Sequence, residues 1–149
     1  MNDNIVNIEK KDMCVSIRND EIMVNCKRKE DVDDCVTVLD AILNKGESVV
    51  SIDYMDFINE SGAAKYDFEL IKNIDYGNFL DHISQTSFNM KCKYIVCIVG
   101  NISFANATDI MKNIIDVSDE GYNQSIVFGF IYDGKQQENG FDMYMWKEV

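Results

Sequence analysis

The stretch from residue 92 to residue 133 constrains this chain more than any other. It sets two apolar runs, K-Y-I-V-C-I-V-G-N and S-I-V-F-G-F-I-Y-D, on either side of an amphipathic segment. A continuously apolar strand is kept from water only where both faces of its sheet are covered, or where it lies central in a parallel sheet. Between the runs, Phe104, Ala107, Ile110, Met111, Ile114 and Ile115 recur at helical spacing, and Ser103 stands where an N-cap belongs. The pattern predicts a β-α-β unit over residues 93–132 and hence an α/β class. Gly100-Asn101 ends the first strand. Asp133–Gly140 reads as a polar loop, after which Phe141–Trp146 alternates as a strand that pairs antiparallel.

Upstream, Met13, Val15 and Ile17 alternate, Arg18-Asn19-Asp20-Glu21 forms a polar turn, and Ile22, Val24 and Cys26 alternate again. This is the pattern of a β-hairpin over 12–27. Val32, Cys35, Val36, Leu39, Ile42 and Leu43 then make the stripe of a helix with one buried face, closed by Lys45 and Gly46. A short apolar stretch, V-V-S-I-D-Y-M-D-F, carries two carboxylates three residues apart, and Ser61-Gly62 breaks the segment behind it. Tyr66, Phe68 and Leu70 alternate with Asp67 and Glu69, as in a strand with one wet face. Asp75 is placed to cap a short helix that turns Tyr76, Phe79, Leu80 and Ile83 to the core. Nothing in the composition marks a linker, so residues 1–149 read as a single domain.

A formal charge of −12 opposes non-specific binding to nucleic acid and to anionic membranes, and neither is expected as a partner. No apolar run approaches the roughly 20 residues of a membrane span. The start of the chain lacks the charged-then-apolar pattern of a signal peptide, so a cytoplasmic location is expected. Cys14, Cys26, Cys35, Cys92 and Cys97 are an odd set with no C-x-x-C pair, which suits reduced thiols in a core.

Catalytic signals are sparse. The one histidine, His82, falls on the short helix with no nucleophile placed beside it by any motif. One histidine and scattered cysteines do not make a zinc site. Neither G-x-G-x-x-G nor G-x-x-x-x-G-K-[ST] occurs, so no nucleotide cofactor is expected. Asp53 and Asp56 are the carboxylate pair with the most telling placement. Such a pair suits a hard cation or a water positioned for attack on a phosphate. Its plainer role is that one carboxylate caps the next helix while the other is solvated.

From about Glu30 onward the chain resembles the end of the central helix and the C-terminal domain of FtsZ, the bacterial tubulin homologue. That family carries a synergy loop of the form N-x-D-x-x-D after the helix. Here the same place reads Ser51-Ile52-Asp53-Tyr54-Met55-Asp56, with both aspartates matched and Ser51 replacing the leading Asn. K-Y-I-V-C-I-V-G-N looks like the family strand that ends in a Gly-rich turn. S-I-V-F-G-F-I-Y-D resembles its I-I-F-G-A-V-I-D strand, including Gly129 and Asp133. The resemblance implies a four-stranded, mostly parallel sheet with helices packed on it. A hairpin arm (residues 1–28) and a helix (29–46) precede this 47–149 unit.

The family's GTP-binding domain, with its G-G-G-T-G-[ST]-G signature, has no counterpart in residues 1–28. The resemblance therefore implies a non-enzymatic module. Ser51, Asp53 and Asp56 would meet a partner, an FtsZ/tubulin-type GTPase, at its nucleotide face, capping filaments or altering GTP turnover. A second expectation is a domain reused for self-assembly or for an unrelated protein. A third is a small-molecule enzyme resembling chorismate-mutase-like folds, which it weakens by having only two arginines, Arg18 and Arg28, outside the matching region.

Overall fold

The computed structural model describes residues 5–58, 64–85, 92–118 and 126–149. In chain order the elements are β1 (Ile8–Lys11), β2 (Cys14–Ile17), β3 (Ile22–Cys26), α1 (Lys29–Leu43), β4 (Ala64–Asp75), α2 (Phe79–Gln85), β5 (Tyr94–Gly100), α3 (Phe104–Ser118), β6 (Ile126–Tyr132) and β7 (Gly140–Glu148). Single 3-10 turns occur at Tyr54–Phe57 and Tyr76–Asn78. The Ser61-Gly62 break and Ser125 lie outside the described residues.

The strands form one seven-stranded mixed sheet in the order β1-β2-β3-β4-β7-β5-β6. This corrects the four-stranded, mostly parallel sheet implied by the resemblance. The hairpin is no separate arm, because β3 pairs in parallel with β4 from Ile22–Ala64 to Cys26–Phe68 and joins three further strands to the sheet. Only that pair and β5–β6 are parallel; β1–β2, β2–β3, β4–β7 and β5–β7 are antiparallel. Within the larger sheet, β4, β5 and β6 run one way, with β7 reversed between β4 and β5.

Alternation along the strands divides the core in two. In β7, Tyr144 and Trp146 face one cluster, while Phe141, Met143 and Met145 face the other. In β5, Ile95 and Cys97 oppose Tyr94, Val96 and Ile98 in the same manner. The first cluster lies under α1, whose Val32, Cys35, Val38, Leu39 and Ile42 pack on Val15, Val24 and Phe68. The second lies under α2 and α3, which bring Phe79, Ile83, Ala107, Ile110 and Ile114. With both faces covered, β5 can be apolar throughout, as its sequence requires. The predicted caps also form: the Asn106 N–H donates to Ser103 Oγ at 3.1 Å and the Gly77 N–H to Asp75 Oδ2 at 3.0 Å.

All five cysteines are free thiols. Cys26, Cys35 and Cys97 are buried, and burial pushes Cys97 up to about 12. Among the described residues, no helix is long and apolar enough to cross a membrane.

Candidate functional site

The segment that carries Ser51, Asp53 and Asp56 begins where α1 ends. The Asn44 N–H closes the helix on Asp40 O at 2.9 Å, and Gly46 takes the left-handed conformation that reverses the chain. The chain then runs antiparallel to the outer edge of β6. Phe130 N–H donates to Val50 O at 2.9 Å, and Val49 N–H to Phe130 O at 2.7 Å. Ile52, 1% exposed, packs on Gly129, where a Cβ would sit 2.5 Å from Ile52 Cδ1. Gly129 is required here because the neighbouring segment needs the space of a side chain.

Beyond Ile52 the chain turns back through Tyr54–Phe57. Asp53 Oδ1 accepts the Met55 N–H at 2.7 Å, and Asp56 Oδ2 accepts the Asp53 N–H at 2.8 Å. Each carboxylate thus caps the backbone next to the other, in the reciprocal form of a capping box. The predicted division into one capping and one solvated carboxylate gives way to two that both cap. One oxygen of each, Asp53 Oδ2 and Asp56 Oδ1, stays uncommitted among the described residues.

Phe57 pins the far end. It is fully buried, edge-on to Tyr66 and to Trp146 with ring centroids 5.6 Å away in both cases. Its carbonyl accepts the Tyr66 hydroxyl at 2.7 Å, and the Lys93 ammonium donates to the Asp56 carbonyl. Burial, with Glu148 and Asp56 nearby, raises the Tyr66 phenol far above its ordinary range, so this hydroxyl stays a donor.

Between the buried anchors Ile52 and Phe57 the turn is open. Ser51 and Asp53 are exposed, Asp56 is partly so, and Met55 is 67% exposed. Val49, at 55%, lies just before it. The structure therefore brings the three predicted residues together on one ordered turn. Sequence reasoning missed Met55 and Val49, which an amphipathic pattern assigns to a core. The predicted hairpin tip meets this turn in a way the sequence did not show, with the Arg18 guanidinium 4.7 Å from the centroid of the Tyr54 ring.

Among the described residues no group of three or more His, Cys, Asp or Glu could hold a metal ion. His82 sits half-buried on α2. Arg28 is engaged by Asp31 at 3.0 Å, and Arg18 lies at the hairpin tip, so the two arginines share no site.

A polar cleft of about 620 Å³ opens elsewhere, between the end of β4 and the loop that follows β6, lined in part by Lys72, Asp75, Asp133, Gln136 and Asp142. A β-bulge between Ile71 and Ile74 puts Asn73 in the left-handed conformation. The Asn73 N–H then donates to Asp142 Oδ1 at 2.9 Å, and Gln136 Nε2 donates to Asp142 Oδ2 at 3.3 Å. Burial raises the Asp142 carboxyl above its ordinary range, opposed by the Asn73 N–H and by Lys72. The other two carboxylates serve turns, Asp133 accepting from the Lys135 N–H and Asp75 from the Gly77 N–H. The cleft holds loops together.

No protein-family model matches the chain, and no curated protein matches it significantly.

Proposed function

We propose that this chain is a non-enzymatic docking module that presents the Ser51–Asp56 turn to another protein. In its finer form, the partner is an FtsZ/tubulin-type GTPase met at its nucleotide face, and docking caps filaments or changes GTP turnover. The observation that carries the reading is the turn itself. Ile52 and Phe57 are buried to 1% and 0%, while Asp53, Met55 and Val49 between and before them face water. A surface whose shape is set in advance loses less conformational freedom on binding. The choice of partner rests on the matched aspartates.

Self-association through an edge of the sheet is the less favoured reading. One edge is β1, only four residues long, which carries Glu9, Lys10 and Lys11; the other is β6, bridged at Phe130 by Val50. A short, charged edge strand opposes pairing with another copy.

The deciding experiment compares wild type with Asp53→Asn/Asp56→Asn, which keeps side-chain oxygens for both caps and removes both charges. Pull-down with a purified FtsZ-type GTPase and measurement of its GTP turnover are expected to show binding that the double variant weakens at least tenfold. Absence of binding, or binding indifferent to the variant, overturns the reading.

A further inference from the structure

We infer that Arg18, at the tip of the β2–β3 hairpin, is a positioning residue for the Ser51–Asp56 turn, so that the surface offered to a partner is built from two distant segments. The inference rests on the docking role proposed above and adds to it the device that holds the turn in shape.

Two independent observations carry it. The first is contact: the Arg18 guanidinium lies 4.7 Å from the centre of the Tyr54 ring, while Arg18 Nε is 3.7 Å from Glu21 Oε2. Tyr54 opens the 3-10 turn directly after Asp53, so a cation over its ring bears on the residues that show Asp53 and Met55. The Tyr54 hydroxyl is buried beside the same hairpin residues: burial and the Glu21 carboxylate raise its pKa, and Arg18 lowers it.

The second observation is backbone conformation. Arg18, Asn19 and Asp20 have φ of 51°, 56° and 70°. Asn and Asp tolerate this left-handed region, whereas a long side chain such as Arg occupies it at a cost that glycine avoids. The tip is already secured without the guanidinium. The Asp20 N–H donates to Ser16 Oγ at 2.9 Å, and Asp20 Oδ1 accepts both Ser16 Oγ and Lys11 Nζ at 2.6 Å. The turn needs the left-handed backbone, since Arg18 O accepts the Glu21 N–H at 3.2 Å, but Gly, Asn or Asp would adopt it at less cost, so an arginine here points to a use for its side chain. Its neighbour outside the hairpin is Tyr54.

Arg18→Gly separates positioning from simple structural support, because glycine relieves the left-handed backbone while deleting the cation. The readout is amide hydrogen exchange at Met55 and Asp56, whose N–H groups donate to Asp53 Oδ1 and Asp53 O. Exchange at both is expected to rise about two- to fivefold, the equivalent of one exposed cation–π contact. The melting temperature stays the same or rises, and Arg18→Lys restores protection. In a Tyr54→Leu background, Arg18→Gly has no further effect on these two amides. Unchanged exchange in Arg18→Gly overturns the inference. So does faster exchange throughout the protein with a lower melting temperature, or an equal effect in the Tyr54→Leu background. Binding to the FtsZ-type GTPase is measured alongside: if wild type fails to bind, the docking role falls, while exchange at Met55 and Asp56 still decides what Arg18 does.

Discussion

The Ser51–Asp56 turn and the cleft beside Asp142 are two acid-bearing corners built on opposite principles. At the turn, both carboxylates cap exposed backbone while aliphatic and aromatic side chains, Ile52 and Phe57, hold the segment from below. At the cleft, a half-buried carboxylate bridges bulge and loop through Asn73 and Gln136, beside the buried Ile74 and Phe141. Apolar anchoring leaves acidic groups free to face outward. Hydrogen-bonded anchoring consumes them. A carboxylate pair therefore keeps free oxygens only where something else holds the chain.

The sharpest way to break this contrast is Phe57→Ala. Loss of a fully buried ring against Tyr66 and Trp146 is expected to cost about 3–5 kcal/mol in urea unfolding. A loss below about 1 kcal/mol would show that burial does not anchor the turn. Gly129→Ala is the next test. Its new methyl group falls 2.5 Å from Ile52 Cδ1 and 2.7 Å from Ile52 Cγ1, so the segment must shift at an expected cost of about 1–3 kcal/mol. The same variant should speed exchange of the Phe130 amide, which donates to Val50 O; wild-type stability and exchange would mean that Ile52 moves aside freely.

The smallest effect belongs to the cleft. Burial raises the Asp142 pKa in the folded state above its ordinary 3.8. Between those two values the folded protein binds the proton more tightly than the unfolded chain, so stability falls as pH rises through that window. Asp142→Asn removes that fall and is expected to match or exceed wild type at neutral pH. Urea midpoints across the acidic range check this; parallel profiles for wild type and variant would show that the carboxylate is not governed by burial.

Periodicity exposed much of this architecture. The hairpin, α1, the β5-α3-β6 unit and β7 follow from residues whose local pattern agrees with their burial. What it could not show is pairing across distance. Nothing in Ile22–Cys26 or Ala64–Asp75 indicates that these two strands lie side by side, and that pairing turns a smaller sheet into seven strands. β1 was hidden for a different reason: of Ile8-Glu9-Lys10-Lys11 only Ile8 is partly buried, so an edge strand looks like a polar tail. At the candidate site, the spacing of Asp53 and Asp56 was visible but their reciprocal capping was not. The contact between Arg18 and Tyr54 joins residues in separate elements and leaves no periodic trace.

β7 has a consequence for the order in which the molecule can be assembled. It pairs with β4 on one side and β5 on the other, and it is synthesised after both. Until it emerges, β1–β4 and β5–β6 cannot be bridged, and each presents an unpaired inner edge. The sheet is closed from its middle by the strand that arrives last, so a partial chain that already holds β5 but stops short of residue 140 carries two open seams that β7 later fills.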